Sequence, residues 1–214
     1  SALNYDPLAT VDDSSCCYDI SSENNYIELN NVYYSELSPG KINVTDINGS
    51  YLNTIYSTTN SIYAIEIDNT NNVIYWSEQY TNNSSAIFKS NLDSIVPQLV
   101  VNLSFAYASD IYLFNDSLLY WACHYNTSGQ NGGVYNNLNG IENLIIQASN
   151  GTEIHNFCID KDNLLIYWTE WSWGSSPSEL IVANLLDPLN TQSSLYNFGN
   201  EEVRSLQFDN FNQR

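Results

Sequence analysis

Between residues 61 and 103 the chain alternates short apolar runs with polar turns: SIYAIEI (61–67), NVIYWSE (72–78), SAIFKSNL (85–92) and PQLVVNL (97–103). β-Branched and aromatic residues dominate the runs, which predicts strands. Asn, Asp, Gly and Ser separate them and supply the turns. No window shows the 3.6-residue period of a helix. The pattern therefore predicts an all-β fold.

The same pattern recurs along the chain. VYYSEL (32–37), IYWSEQ (74–79), LYWACH (119–124) and IYWTEW (166–171) align, with aromatic pairs beginning at Tyr33, Tyr75, Tyr120 and Tyr167, spacings of 42, 45 and 47 residues. A second element follows each: DINGS (46–50), NLDS (91–94), NLNG (137–140) and NLLD (184–187). Alternating runs that end in an acid precede three of the pairs: IEID (65–68), YLFND (112–116) and FCID (157–160). Three elements repeated in one order define a true repeat. A unit of four strands cannot bury both its faces alone, whereas units stacked around an axis can. The expectation is a β-propeller of four-stranded blades.

The pattern D…(I/L)YW(T/S)E…(N/D)LDG resembles the YWTD repeat of the low-density lipoprotein receptor class of β-propellers, over about residues 23–214. The resemblance implies that Tyr33, Tyr34, Tyr75, Trp76, Tyr120, Trp121, Tyr167 and Trp168 lie on second strands and pack between blades. It also implies that the motif's acid holds neighbouring backbone. That acid is Glu36, Glu78 and Glu170 here, one methylene longer than the family's Asp, and Cys123 replaces it in the third repeat. The family uses six blades; this chain holds four repeats plus EEVRSLQFDNF (201–211), which matches a first strand. Asp209 stands there where Asp68 and Asp160 stand. The favoured reading is a small closed or nearly closed ring, in which the tail completes the first blade, whose own first strand around YIEL (26–29) looks stunted. The others are that another copy supplies strands or that a longer chain continues. Ahead of the propeller, ALNYDPLATVDDSSC (2–16) resembles a short Asp-rich, Cys-bounded repeat of secreted microbial surface proteins. It marks residues 1–22 as an extended leading segment.

Composition narrows the setting. Net charge is −19 because Lys and Arg number only 5 against 24 Asp and Glu. Surface polarity comes instead from 32 Asn and 38 Ser or Thr. Such a surface repels polyanions, which disfavours nucleic acid and anionic membranes as partners. No run reaches the roughly 20 apolar residues of a membrane span. Without Met, Ser1 reads as the start of a processed or excised chain. Glycosylation sequons begin at Asn43, Asn48, Asn82, Asn83, Asn102, Asn115, Asn126 and Asn150. Cys16, Cys17, Cys123 and Cys158 allow three pairings, which stay open: Cys123 and Cys158 meeting across a blade boundary, or each anchoring Cys16 or Cys17. A secreted, N-glycosylated, disulfide-bonded protein, extracellular or at the cell surface, is the expectation.

Candidate chemistry is sparse. YWTEWSWG (167–174) looks like a sugar platform with a catalytic carboxylate, but Tyr167, Trp168 and Glu170 recur in other repeats, as scaffold does. Trp171 and Trp173 have no counterparts and are candidate contact residues for sugar or protein. Asp6, Asp12, Asp13 and Asp19 are secondary candidates for calcium, which takes six to eight oxygens; no cofactor is otherwise expected. His124 and His155 lack the partners of a catalytic or zinc site. The functional expectation is a non-enzymatic structural subunit of an extracellular fibril, appendage or matrix, with other copies of itself as partners. The alternative is an adhesion or receptor-type module that binds an extracellular protein or glycan; a secreted glycan-active enzyme ranks third.

Overall fold

Every alternating run quoted for residues 61–103 forms a strand. The computed structural model describes residues 31–49, 52–82, 84–103, 107–124, 132–149, 152–171, 178–201, 203 and 206. The leading segment 1–22, YIEL (26–29) and most of the tail beyond Glu201 lie outside these residues. Blade 1 comprises β1 (Asn31–Glu36), β2 (Lys41–Asp46) and β3 (Leu52–Ser57). Blade 2 is β4 (Ser61–Asp68), β5 (Val73–Gln79), β6 (Ser85–Asn91) and β7 (Ser94–Leu103). Blade 3 is β8 (Tyr107–Leu113), β9 (Leu119–His124), β10 (Gly133–Asn136) and β11 (Asn143–Gln147). Blade 4 is β12 (Glu153–Asp160), β13 (Leu165–Trp171), β14 (Ser178–Asn184) and β15 (Ser193–Gly199). Each blade is an antiparallel meander with its strands in sequence order.

The acids that end the first strands build the first turns. Asp68 Oδ1 accepts the backbone N–H of Thr70 and Asn71, and Oδ2 accepts Asn71 Nδ2 at 2.8 Å. Asp160 repeats this with Asp162 and Asn163, its Oδ2 accepting Asn163 Nδ2 at 2.7 Å. The residue after each turn, Asn72 (φ 56°) or Leu164 (φ 53°), takes the left-handed conformation that lets the chain double back. These bonds, the Asn163 side chain first, hold Asp160 below the usual carboxylate range. At Asp68 burial pulls the pKa up, and the donors of Asn71 and Thr70 outweigh it.

Blades stack face to face in chain order, β1 on β4, β4 on β8 and β8 on β12. One apolar layer fills each junction. Ile42, Ile62, Ile74 and Trp76 join blades 1 and 2; Tyr75, Ile87, Ile111 and Trp121 join 2 and 3; Tyr120, Phe157, Ile159 and Trp168 join 3 and 4. Trp76, Trp121 and Trp168 are fully buried. Glycine is required where blade 1 meets the linker to blade 2: a Cβ on Gly40 would run into the Asn60 carbonyl, which the Gly40 N–H binds at 2.9 Å.

Two features depart from a regular closed ring. Tyr33 and Tyr34 sit on β1, so β1, β2 and β3 correspond to second, third and fourth strands; among the described residues blade 1 has no first strand. Nor does any comparable packing join blade 4 to blade 1 among those residues. Among the described residues the four blades form an arc rather than the favoured closed ring.

Candidate interaction surfaces at the ends of the arc

The motif glutamates clamp the linkers between blades. Glu78 is buried on β5 and accepts four hydrogen bonds. Trp76 Nε1 (2.9 Å) and Tyr56 Oη (2.7 Å) donate to Oε1, and Asn60 Nδ2 (2.8 Å) and Thr58 Oγ1 (3.2 Å) to Oε2. Glu170 does the same two junctions later, between blades 3 and 4. Its Oε1 accepts Trp168 Nε1, and its Oε2 accepts the Ser149 N–H at 3.0 Å and Thr152 Oγ1 at 2.8 Å. Apart from Tyr56 on β3 and the tryptophan of the same strand, the donors come from residues 58–60 and 149–152, which lead into the blades that carry the acids. The longer glutamate reaches them. In blade 3, Cys123 takes this place, and Trp121 Nε1 has only that weak thiol beside it.

Blade 1 carries the same residues, with no preceding blade among the described residues. Tyr34 keeps 37% of its surface exposed, against 0% for Trp76, Trp121 and Trp168. Val32 and Leu52 are exposed too. Glu36 turns to its own sheet, accepting Lys41 Nζ at 3.0 Å and Asn43 Nδ2 at 2.9 Å, and those two bonds hold its pKa down. At the far end, blade 4 presents Tyr167 and Val182, both partly exposed, while Thr169 is buried. Only the start of the tail is seen against it, where Thr169 Oγ1 donates to the Val203 carbonyl at 3.4 Å.

Near the inner edge, acids of first strands reach the next blade. Glu66 Oε1 accepts the Leu113 N–H, and Asp110 Oδ2 accepts the Phe157 N–H, both at 3.1 Å. Burial dominates at both, raising Glu66 and pushing Asp110 up to about 7. Sequence reading singled out neither. A folded-state pKa above the unfolded value means that the stabilisation is complete below about pH 4 and is lost as pH rises through 7. Asp110 keeps part of its surface in solvent, and water there screens about half of the effect. Stability is then expected to fall by about 2 kcal/mol between pH 4 and 8, with Asp110→Asn flattening that slope in denaturant titrations.

The other sequence candidates separate clearly. Asn48, Asn82, Asn102 and Asn115 are exposed, as a glycan requires. Asn43 is a correction: it is 1% exposed, its amide nitrogen donates to Glu36 and its oxygen accepts Thr54 Oγ1. A sugar on that nitrogen would break both contacts. Asn83, Asn126 and Asn150 lie outside the described residues, as do Cys16, Cys17, Trp173 and the calcium candidates Asp6, Asp12, Asp13 and Asp19. Cys123 and Cys158 are free thiols, so the pairing between them is not formed. Burial raises both, Cys158 to about 11. Trp171 packs edge-on against the His155 ring at 5.7 Å. Among the described residues no group of acids, His and Cys is arranged to hold a metal.

No family profile and no curated protein matches the chain. Solved structures do. The nidogen/laminin complex matches at 12% identity with TM-score 0.59, over 77% of this chain and 61% of that one. A putative TolB from Agrobacterium tumefaciens matches at 9% identity and TM-score 0.61, over 79% and 62%. An oligogalacturonate lyase in complex with manganese matches at 9% and 0.54, over 78% and 50%. The chain thus spans at most about three fifths of these structures, which include enzymes and non-enzymes alike. Repeated four-stranded sheets, interlocked junctions and these likenesses together identify the chain as a protein of β-propeller fold.

Proposed function

We propose that this chain is a non-catalytic, secreted glycoprotein subunit of an extracellular assembly, related to the YWTD propellers, in which copies add head to tail. The observation that carries the reading is the exposure of Tyr34 and Val32 on blade 1, at positions whose counterparts are sealed by a preceding blade. Blade 1's open face is equivalent to the faces by which blades 2, 3 and 4 receive their predecessors. Blade 4's open face is equivalent to those that blades 1, 2 and 3 offer their successors. The two ends are therefore unlike and complementary. Contacts between unlike patches propagate into filaments unless the rotation closes. The carboxylates that would suit a hydrolase support the same reading, since Glu78 and Glu170 are committed to linker donors.

Sedimentation across concentration and salt tests it. Self-association that strengthens with salt is expected, because each copy carries a net −19 charge that repels the next. A monomer at high concentration in high salt refutes the assembly. A mass of 24.2 kDa before and after deglycosylation refutes the glycoprotein.

A further inference from the structure

We infer that residues 203–209 of one copy add as the innermost strand of blade 1 in the next copy, antiparallel to β1, at an edge that no described residue fills. This rests on the assembly reading above and names the element that joins the copies. An exposed sheet edge is a template for strand addition, and four observations select this strand for this edge.

The first is the vacancy. β4, β8 and β12 each line the inner side of a motif strand, while β1 pairs only with β2 among the described residues. The second is the space beside it. Ile65 of β4 stays partly exposed, whereas its counterparts Ile111 and Phe157, covered by a preceding blade, keep 3% each; Ile67 is partly exposed as well, where Ile159 keeps 1% and Leu113 is partly exposed. An open cleft of about 300 Å³ lies there, lined by Asn31, Tyr33, Ile65, Glu66, Ile67 and Asn69.

The third is the tail's own sequence. Val203, Leu206, Phe208 and Asp209 have the spacing of Ile62, Ile65, Ile67 and Asp68, and of Ile154, Phe157, Ile159 and Asp160. DNFN (209–212) then repeats DNTN (68–71) and DKDN (160–163), the two turns whose Asp and Asn side chains bond each other. The register follows from β12 on β13, where Ile154, Phe157 and Ile159 face Glu170, Trp168 and Ile166. It places Val203, Leu206 and Phe208 opposite Glu36, Tyr34 and Val32, so the exposed apolar residues of β1 gain apolar neighbours.

The fourth is where the tail starts. Ser77 and Thr169 share one motif position. Ser77 Oγ donates to the carbonyl of Ala108, on the first strand of the following blade, and Thr169 Oγ1 donates to that of Val203. The tail thus enters the place after blade 4, while its own β1 lies at the opposite end of the arc. A second copy whose blade 1 sits on blade 4, as blade 2 sits on blade 1, brings an empty edge alongside it.

The experiment uses the full chain. An isotopically heavy copy carrying Tyr34→Cys is co-assembled with a light copy carrying Leu206→Cys, oxidised, and mapped by peptide mass spectrometry. A heavy–light 34–206 link in sedimenting material is expected. Leu206→Glu with Phe208→Glu is expected to raise the concentration for half-assembly at least about 100-fold. A synthetic peptide of residues 201–212, added in excess to wild-type chain, is expected to dissolve the polymer, a readout independent of how the variant folds. Polymer that forms without the 34–206 link and resists the peptide overturns strand donation and leaves the assembly reading standing. A 34–206 link formed only within one chain, in a double-cysteine monomer, shows a self-closed ring and overturns both.

Discussion

Trp76→Ala and Trp168→Ala are each expected to lower the unfolding free energy by about 4 kcal/mol, while Tyr34→Ala costs the isolated chain less than about 1 kcal/mol. All three occupy one position of the repeat. Trp76 lies between Tyr56, at 5.0 Å and tilted, and Phe88, stacked at 5.8 Å, and it is fully buried. Removing the indole opens a cavity between two blades and deprives Glu78 of a donor. Tyr34 has no preceding blade, so its loss empties nothing of that kind. Denaturant titration of the monomer checks both halves. Equal effects at positions 34 and 76 would mean that blade 1 is covered as the others are. Under assembling conditions Tyr34→Ala should instead weaken association.

Glu78→Ala is expected to cost a similar amount, about 4 kcal/mol, through a different route. Four donors converge on one carboxylate with 3% of its surface exposed. With alanine there, Tyr56, Asn60 and the Trp76 indole lose their acceptor, and each buried unsatisfied group costs about 1–3 kcal/mol. Glu78→Gln preserves the shape, but its amide nitrogen faces donors where Oε2 was an acceptor, so an intermediate loss of about 2 kcal/mol is expected. Thermal melts of the three proteins in one buffer give the ranking. A Glu78→Ala loss below that of Glu78→Gln would mean that the clamp serves no structural purpose.

Much of this fold is written as a repeated requirement. Blades 2, 3 and 4 repeat a Tyr–Trp pair beside an alternating strand, closed by an acid in blades 2 and 4, so Tyr75, Tyr120 and Tyr167 announce themselves by spacing. The clamp's other half does not repeat. Tyr56, Thr58 and Asn60 serve Glu78, whereas Ser149 and Thr152 serve Glu170, because any donor at the right place suffices. Asn43 misleads for a related reason: a sequon is a three-residue signal, and burial is decided by Glu36 and Thr54 far from it in sequence. Asp110 escapes detection because a bulge between Ala108 and Asp110 shifts it out of simple alternation.

An arc, unlike a ring, has termini, and its cooperativity is that of a linear array of nearest neighbours. Blades 2 and 3 are each buttressed on two sides. Among the described residues blade 1 has three strands and one neighbour, so fraying begins there and proceeds inward. Capture of that blade by another molecule would turn a loose terminus into an interior segment, letting the chain grow more robust with each unit added.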